Sequence, residues 1–333
     1  MLSEIKSKFM KNPTLYYGMS VAASWAGVGS LMNSITMTTS YGIVPSIIWG
    51  LANSIACVIF GIIACRLDTF RDLMRSRAMQ CIIGIMSIFQ LWLNMNGIHD
   101  IFSDTVIGAR GGTIIVYVVC AAFIVMLLKL GMIRNVLTDT WSWYIVLTMI
   151  VCLTAVSMAL TPGGALAIPK SGLDWPDMKV GLYKAMLLIP GPFTFPYFYK
   201  ILDYNDQNED GTSRIDVRVS FSLGGILFGA YMVFTYLLAM VLFTPVLNLV
   251  KAILVSIVGI STISTFLYSE YIVFGRKLGL AINTIAVAFW PMFISMGVMG
   301  IWTLMSEIRI YLVAGMFILT GIKAIMDRGE VAA

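Results

Sequence analysis

The sequence predicts an all-α integral membrane protein with ten transmembrane helices. They form a 5+5 inverted repeat in which the first helix of each repeat, helices 1 and 6, is broken. Three observations carry this. The 333 residues are 59% hydrophobic and only 12% charged. Ten apolar stretches are long enough to cross a bilayer. Two of them carry helix breakers at their centres rather than their ends: Gly27, Gly29 and Ser30 in the first, Pro190-Gly191-Pro192 in the sixth.

Composition bounds the class. Soluble domains carry about 25% charged residues. Half that fraction, at a mean hydropathy of +0.89, means that lipid is the surrounding solvent. The net charge of +5 then reports topology and not nucleic-acid binding, because basic residues of membrane proteins collect in loops. Cys57, Cys65, Cys81, Cys120 and Cys152 fall within or beside apolar spans. That is the placement of free thiols packed as small hydrophobes. The sole histidine, His99, is read as a loop residue, which removes a histidine metal centre or acid–base site. Lys6, Lys8 and Lys11 precede the first apolar run as in a signal peptide. The run is too long and lacks a clean cleavage site, so it is expected to stay as the first helix.

The spans are placed at 15–40, 42–64, 78–97, 112–130, 141–161, 180–201, 219–243, 246–272, 279–297 and 308–326. With the N-terminus inside, the inner loops and tails hold 16 Lys and Arg and the outer side 6, namely Arg110, Lys170, Lys179, Lys184, Lys251 and Arg309. This satisfies the positive-inside rule. Both termini are expected in the cytoplasm, across an inner or plasma membrane of prokaryotic type. The chain reads as one transmembrane domain over 1–333, with repeats at 15–162 and 180–327. The basic stretch 66–77 is a topology anchor at the inner surface. The polar stretch 203–214 is a solvated hairpin whose acidic spacing does not match a calcium loop.

The paired breaks point toward function. Gly costs about 1 kcal/mol of helix propensity relative to Ala, and Pro removes a backbone donor and blocks the preceding turn. Backbone opened inside lipid is tolerated where it lines a cavity or binds something. Span 1 rises from the inside and span 6 descends from the outside. Corresponding breaks in two oppositely oriented halves are the mark of an inverted-repeat transporter with its site at the membrane midplane.

No catalytic constellation is visible, so an enzyme is not expected. Glu270 is the one carboxylate read within a span, and it is placed near the inner end, reaching the interface. What remains is neutral oxygen: the carbonyls that an unwound span 1 releases near Ala23 and Ala26, and the hydroxyls of Ser261, Thr262, Ser264 and Thr265. Hard cations bind such oxygens. Hydroxyls in membrane helices also bond back to the preceding turn.

The run from Ala22 to Leu31, continued by Thr39-Ser40-Tyr41-Gly42 and Trp49-Gly50, resembles the first two core helices of the sodium:solute symporter family, which has the LeuT-type fold. Ser261-Thr262-Ile263-Ser264-Thr265-Phe266-Leu267 is similar to that family's Ser/Thr motif on helix 8. The resemblance spans about 15–65 and the neighbourhoods of 180–205 and 255–275, and it is architectural elsewhere.

It implies a Na+ site formed by the carbonyls of Ala23, Ala26 and Val258 and the hydroxyls of Ser261 and Thr262, with no organic cofactor. It also implies a central cavity between spans 1, 3, 6 and 8. Trp25, Ser30, Asn33, Gln90, Asn94, Phe193 and Phe195 are the candidate substrate contacts. Two features depart from the family: there are no helices outside the ten-helix core, and span 5, read as 141–160, has no carboxylate where many members carry one. No Arg or Lys is placed at the midplane, so a carboxylate would have to be received by the amides at the break.

The resulting expectation is a secondary active transporter, a sodium-coupled symporter of a small neutral or zwitterionic solute working by alternating access. The alternative is a non-transporting sensor, partner-binding or structural membrane protein on the same scaffold. The expected partners are the lipid bilayer and a small-molecule solute, without nucleic acid; protein partners are not specified by these features. A channel would need a ring of charge or a filter loop, and neither is present.

Overall fold

The computed structural model describes residues 12–127, 132–160, 169–202, 216–239 and 245–332, and every element among them is helical. The first helix, α1, covers Pro13–Trp25. Asn12 caps it, its side chain accepting from the Leu15 amide at 3.4 Å, and Pro13 sits at the first position, where its missing N–H costs nothing. After the interruption at Ala26 and Gly27, α2 runs over Val28–Ser40. Next come α3 (Ile43–Arg66), the short amphipathic α4 (Asp68–Arg75) and α5 (Arg77–Ser103). Then follow α6 (Gly108–Leu127) and α7 (Met132–Leu160).

The second interrupted helix is α8 (Trp175–Leu188), a 3-10 turn at Gly191–Thr194 and α9 (Pro196–Leu202). Beyond it lie α10 (Val217–Ala239), α11 (Pro245–Phe289), a 3-10 turn at Trp290–Met296 and α12 (Gly297–Ala332). Inside α11, Gly275 has φ 77°, and Gly297 has φ 62°. Such values suit glycine alone at no steric cost, and they fold the long stretch back on itself.

Six helical stretches among the described residues are long and apolar enough to cross a membrane: Ile43–Arg66, Arg77–Ser103, Gly108–Met126, Asn135–Val156, Val217–Ala239 and the folded Leu249–Met326. The protein is a multi-pass membrane protein. Its core is one apolar cluster in which α1 packs on α7 and α10, α3 on α8 and α10, and α5 on α6 and α11.

Several boundaries and placements differ from expectation, with one cause. The helix expected at 141–161 begins at Met132, and the one expected at 308–326 begins at Gly297. Hydropathy trims off the turns before 141 that carry Asn135 and Asp139 and those before 308, yet these turns are helical, and Asn135 and Asp139 are buried in the bundle. His99, read as a loop residue, belongs to the last turns of α5, its Nδ1 3.0 Å from Asp100. Glu270 does not reach the interface: it is fully buried and accepts a hydrogen bond from Ser87. The expected hairpin at 203–214 lies outside the described residues. All five cysteines are free.

Candidate functional site

The site begins where α1 stops. The Ala26 amide still donates to Ala22, at 2.9 Å, but the Gly27 amide turns to the Trp25 carbonyl at 3.0 Å. The Ala23 carbonyl thereby loses its helical donor. The Ser30 and Leu31 amides both go to the Gly27 carbonyl, so the Ala26 carbonyl accepts from no described backbone amide. The Val28 amide, which would have bonded Ser24, donates instead to Oδ1 of Asn94 at 2.8 Å. The same Oδ1 accepts from Thr262 Oγ1 at 2.9 Å, while Asn94 Nδ2 donates to the Gln90 carbonyl at 2.7 Å. One asparagine on α5 thus caps α2 and ties the break to α11.

The second break lies against the first. The tip of the Trp25 indole occupies the space that a Cβ on Gly191 would need. Only glycine permits that approach. Trp25 is held in place from the other side, its Nε1 donating to Asn53 Oδ1 at 3.2 Å. Between the breaks is a cavity offering about 30 Å³ to the centres of water molecules. Its walls include Ser24, Trp25, Gly27 and Ser30 from the first helix, Gln90 and Asn94 from α5, and Leu188 from α8. Asn53, Phe266, Trp302, Met305 and Arg309 also border it.

Arg309, placed on the outer side from the sequence and not expected at the cavity, belongs to it. The side chain is 2% exposed and forms part of the cavity wall. With the Gln90 amide oxygen turned toward it, Gln90 accepts from the guanidinium, at 3.0 Å from Nη1. Its buried Nε has no hydrogen-bond partner, and no described carboxylate forms an ion pair with it.

A second, smaller cavity of about 10 Å³ lies behind the first break, lined by Ala23, Ala26, Ser142, Trp143, Val146, Val258 and Ser261. Four of the five expected ion ligands therefore converge: Ala23, Ala26, Val258 and Ser261. Thr262 does not join them, since its hydroxyl bonds Asn94 and, at 3.0 Å, the Val258 carbonyl. Ser261 connects this cavity to a buried carboxylate. Asp139 Oδ1 accepts from Ser261 at 3.0 Å and from Thr265 at 3.4 Å. Its Oδ2 accepts from Ser20 at 2.6 Å, Asn135 at 3.3 Å and Tyr197 at 3.5 Å. The expectation that span 5 lacks a carboxylate is thus overturned. Asp139 lies on α7, two residues before the expected boundary, and a boundary placed from hydropathy is good only to a few residues.

Of the expected substrate contacts, Trp25, Ser30, Gln90 and Asn94 line the central cavity. Phe193 and Phe195 do not. Phe193 packs on Phe60, Phe70 and Phe317 with ring centroids 5.3–5.8 Å away. Phe195 packs on Phe198 and Phe266 at 4.7 and 4.9 Å. The 3-10 turn after Pro190 swings both rings into the core. Asn33 is buried farther along α2, outside the cavity wall, with no described residue bonding its amide. Arg309, Asn53 and Asp139 went unassigned, although the sequence carries one signal for each: an Arg, an Asn and an Asp beside or within an apolar run.

No family model matches the chain, and no curated protein matches it. Among solved structures, it is similar to the manganese transporter of Eremococcus coleocola in complex with an aromatic bis-isothiourea substituted compound. The identity is 15% and the TM-score 0.43, over 96% of this chain and 74% of that one. A point variant of the same transporter gives 15% and 0.44 over the same shares. Neither likeness bears on what this chain carries.

Proposed function

We propose that the chain is a secondary active transporter that binds a small solute between two broken helices and couples its movement to Na+ by alternating access. In this reading ten spans form a LeuT-like 5+5 inverted repeat in a single transmembrane domain, 15–162 and 180–327, with both termini cytoplasmic. The observation that carries it is the meeting of the two breaks, Trp25 against Gly191, beside a cavity that Ser30, Asn53, Gln90, Asn94 and Arg309 help to line inside an apolar bundle. Broken helices facing each other across a polar space are how membrane transporters bind solutes without exposing backbone to lipid.

The ion would occupy the smaller cavity. Its donor set suits a hard cation: the Ala23 and Ala26 carbonyls stripped of their helical donors, the Val258 carbonyl and the Ser261 hydroxyl. Asp139, joined to Ser261, supplies negative charge nearby. Thr262 holds the break together and leaves ligation to the others. Sodium would draw these oxygens together and fix the angle between α1 and α11, so that ion binding favours one access state.

Solute uptake into proteoliposomes under a sodium gradient tests this. Uptake is expected to require sodium, and Ser261→Ala or Asp139→Asn is expected to abolish that requirement. Uptake of the same size with and without sodium would sink the coupling. Specific assembly with other proteins and no flux would favour the sensor or scaffold reading. Of the features that favour that reading, the compact core, the short connection at Thr244-Pro245 and the absent span 5 carboxylate, the last is met by Asp139 on α7.

A further inference from the structure

We propose that the central cavity recognises a carboxylate, held by the Arg309 guanidinium with Gln90 as its orienting neighbour, so that the transported solute is a small carboxylic acid or amino acid. The inference rests on the transporter reading and narrows it.

The argument starts from a cost. A guanidinium kept away from water inside an apolar bundle is expensive unless something answers its charge. Arg309 is 2% exposed, and no described carboxylate pairs with it. The nearest answer is the neutral Gln90 amide, and Nε has no acceptor. The three buried carboxylates among the described residues are engaged elsewhere, Asp139 by Ser20, Ser261 and Thr265, Glu270 by Ser87, and Asp177 by Lys170. A cation held in a cavity wall with donors to spare awaits an anion from outside.

The shape of the site selects which anion. Guanidinium presents a planar fork of donors that matches a carboxylate in a bidentate pair. The cavity admits on the order of two or three water molecules, comparable to the three heavy atoms of one carboxylate group. At the start of α2 the Val28 amide already bonds Asn94, and among the residues lining the cavity Arg309 is the one that carries a positive charge. Arg309 is therefore the strong anion donor at this cavity, and the side chain of Met305 and the indole of Trp302, one and two turns earlier on the same helix, offer apolar contact for the remainder of a small acid.

The test uses purified full-length protein and paired probes: acetate, L-lactate, glycine and L-proline, each against its amide. Thermal unfolding is followed as the ligand rises, since a ligand bound to the folded state alone raises the midpoint with concentration. At least one acid is expected to stabilise the protein while its amide does not. Arg309→Gln is expected to weaken that acid at least about tenfold, with Arg309→Lys in between. Gln90→Ala, which keeps the guanidinium, is expected to weaken it less than Arg309→Gln does. If the arginine variants do not fold, the acid–amide comparison on the unaltered protein still decides.

The proposal is overturned if no acid is distinguished from its amide, if Arg309→Gln binds the acid as well as the unaltered protein, or if chloride reproduces the whole effect. Uptake in proteoliposomes separates the two claims. Acid-specific binding without flux keeps the carboxylate site and removes the transporter. Flux of a neutral solute with no acid preference does the reverse.

Discussion

At Ala26 and Gly27 the interrupted backbone is held from another helix, where Asn94 receives the Val28 amide and the Thr262 hydroxyl, and by one local bond, Ser30 Oγ donating to the Trp25 carbonyl at 3.3 Å. At Pro190 to Thr194 the chain satisfies itself. The Phe193 amide donates to the Pro190 carbonyl, Thr194 Oγ1 to the Gly191 carbonyl, and the Tyr199 hydroxyl to the Phe193 carbonyl. Around it lie the rings of Phe60, Phe70 and Phe317. The first break leaves carbonyls without helical donors beside small cavities, whereas the second is closed by local bonds and aromatic packing.

That contrast can be broken by substitution. The largest effect is expected from Asn94→Ala, which strands the buried Val28 amide, whereas the Thr262 hydroxyl keeps the Val258 carbonyl; a loss of roughly 1–3 kcal/mol is expected in denaturant unfolding in micelles. A loss below that of a single hydrogen bond would mean that Asn94 does not hold the break. Gly191→Val drives methyl groups into the Trp25 indole and is expected to cost about 1–3 kcal/mol. It should impair ligand binding as well, because Trp25 borders the central cavity.

Phe193→Leu sharpens the comparison from the other side. It forfeits ring contacts worth about 0.5–1.5 kcal/mol, so thermal stability should fall while ligand affinity holds. A fall in affinity as large as that expected of Arg309→Gln would return Phe193 to the binding site. The smallest stability change is expected for Ser261→Ala, about 1 kcal/mol or less for one hydroxyl bond to Asp139. Its signature would be functional: sodium should no longer raise the unfolding temperature, whereas the unaltered protein should be stabilised by sodium.

The helical class and the positions of both breaks were legible in the sequence, because Gly27 and Pro190 act on the backbone through their own chemistry wherever they stand. Of the five residues that the resemblance implied as ion ligands, Ala23, Ala26, Val258 and Ser261 line one small cavity, and Thr262 does not. Asp139 and Arg309 were misread for a shared reason: each sits in a polar turn at the end of an apolar stretch, and averaging along the chain assigns such turns to loops. Phe193 was misread in the opposite sense, as a wall of the cavity, because its direction depends on a 3-10 turn.

Taken alone, then, the sequence determined that this chain lives in lipid, that it is built of helices and where two of them give way. Those properties follow from side-chain transfer energies and local backbone freedom. Only the tertiary structure decided which polar groups meet. It set Asp139 beside Ser20 and Ser261, and brought Arg309 to the same cavity as Trp25 and Gln90. The burial of a charged side chain is a property of the helices packed around it, and hydropathy compares a residue only with its neighbours along the chain.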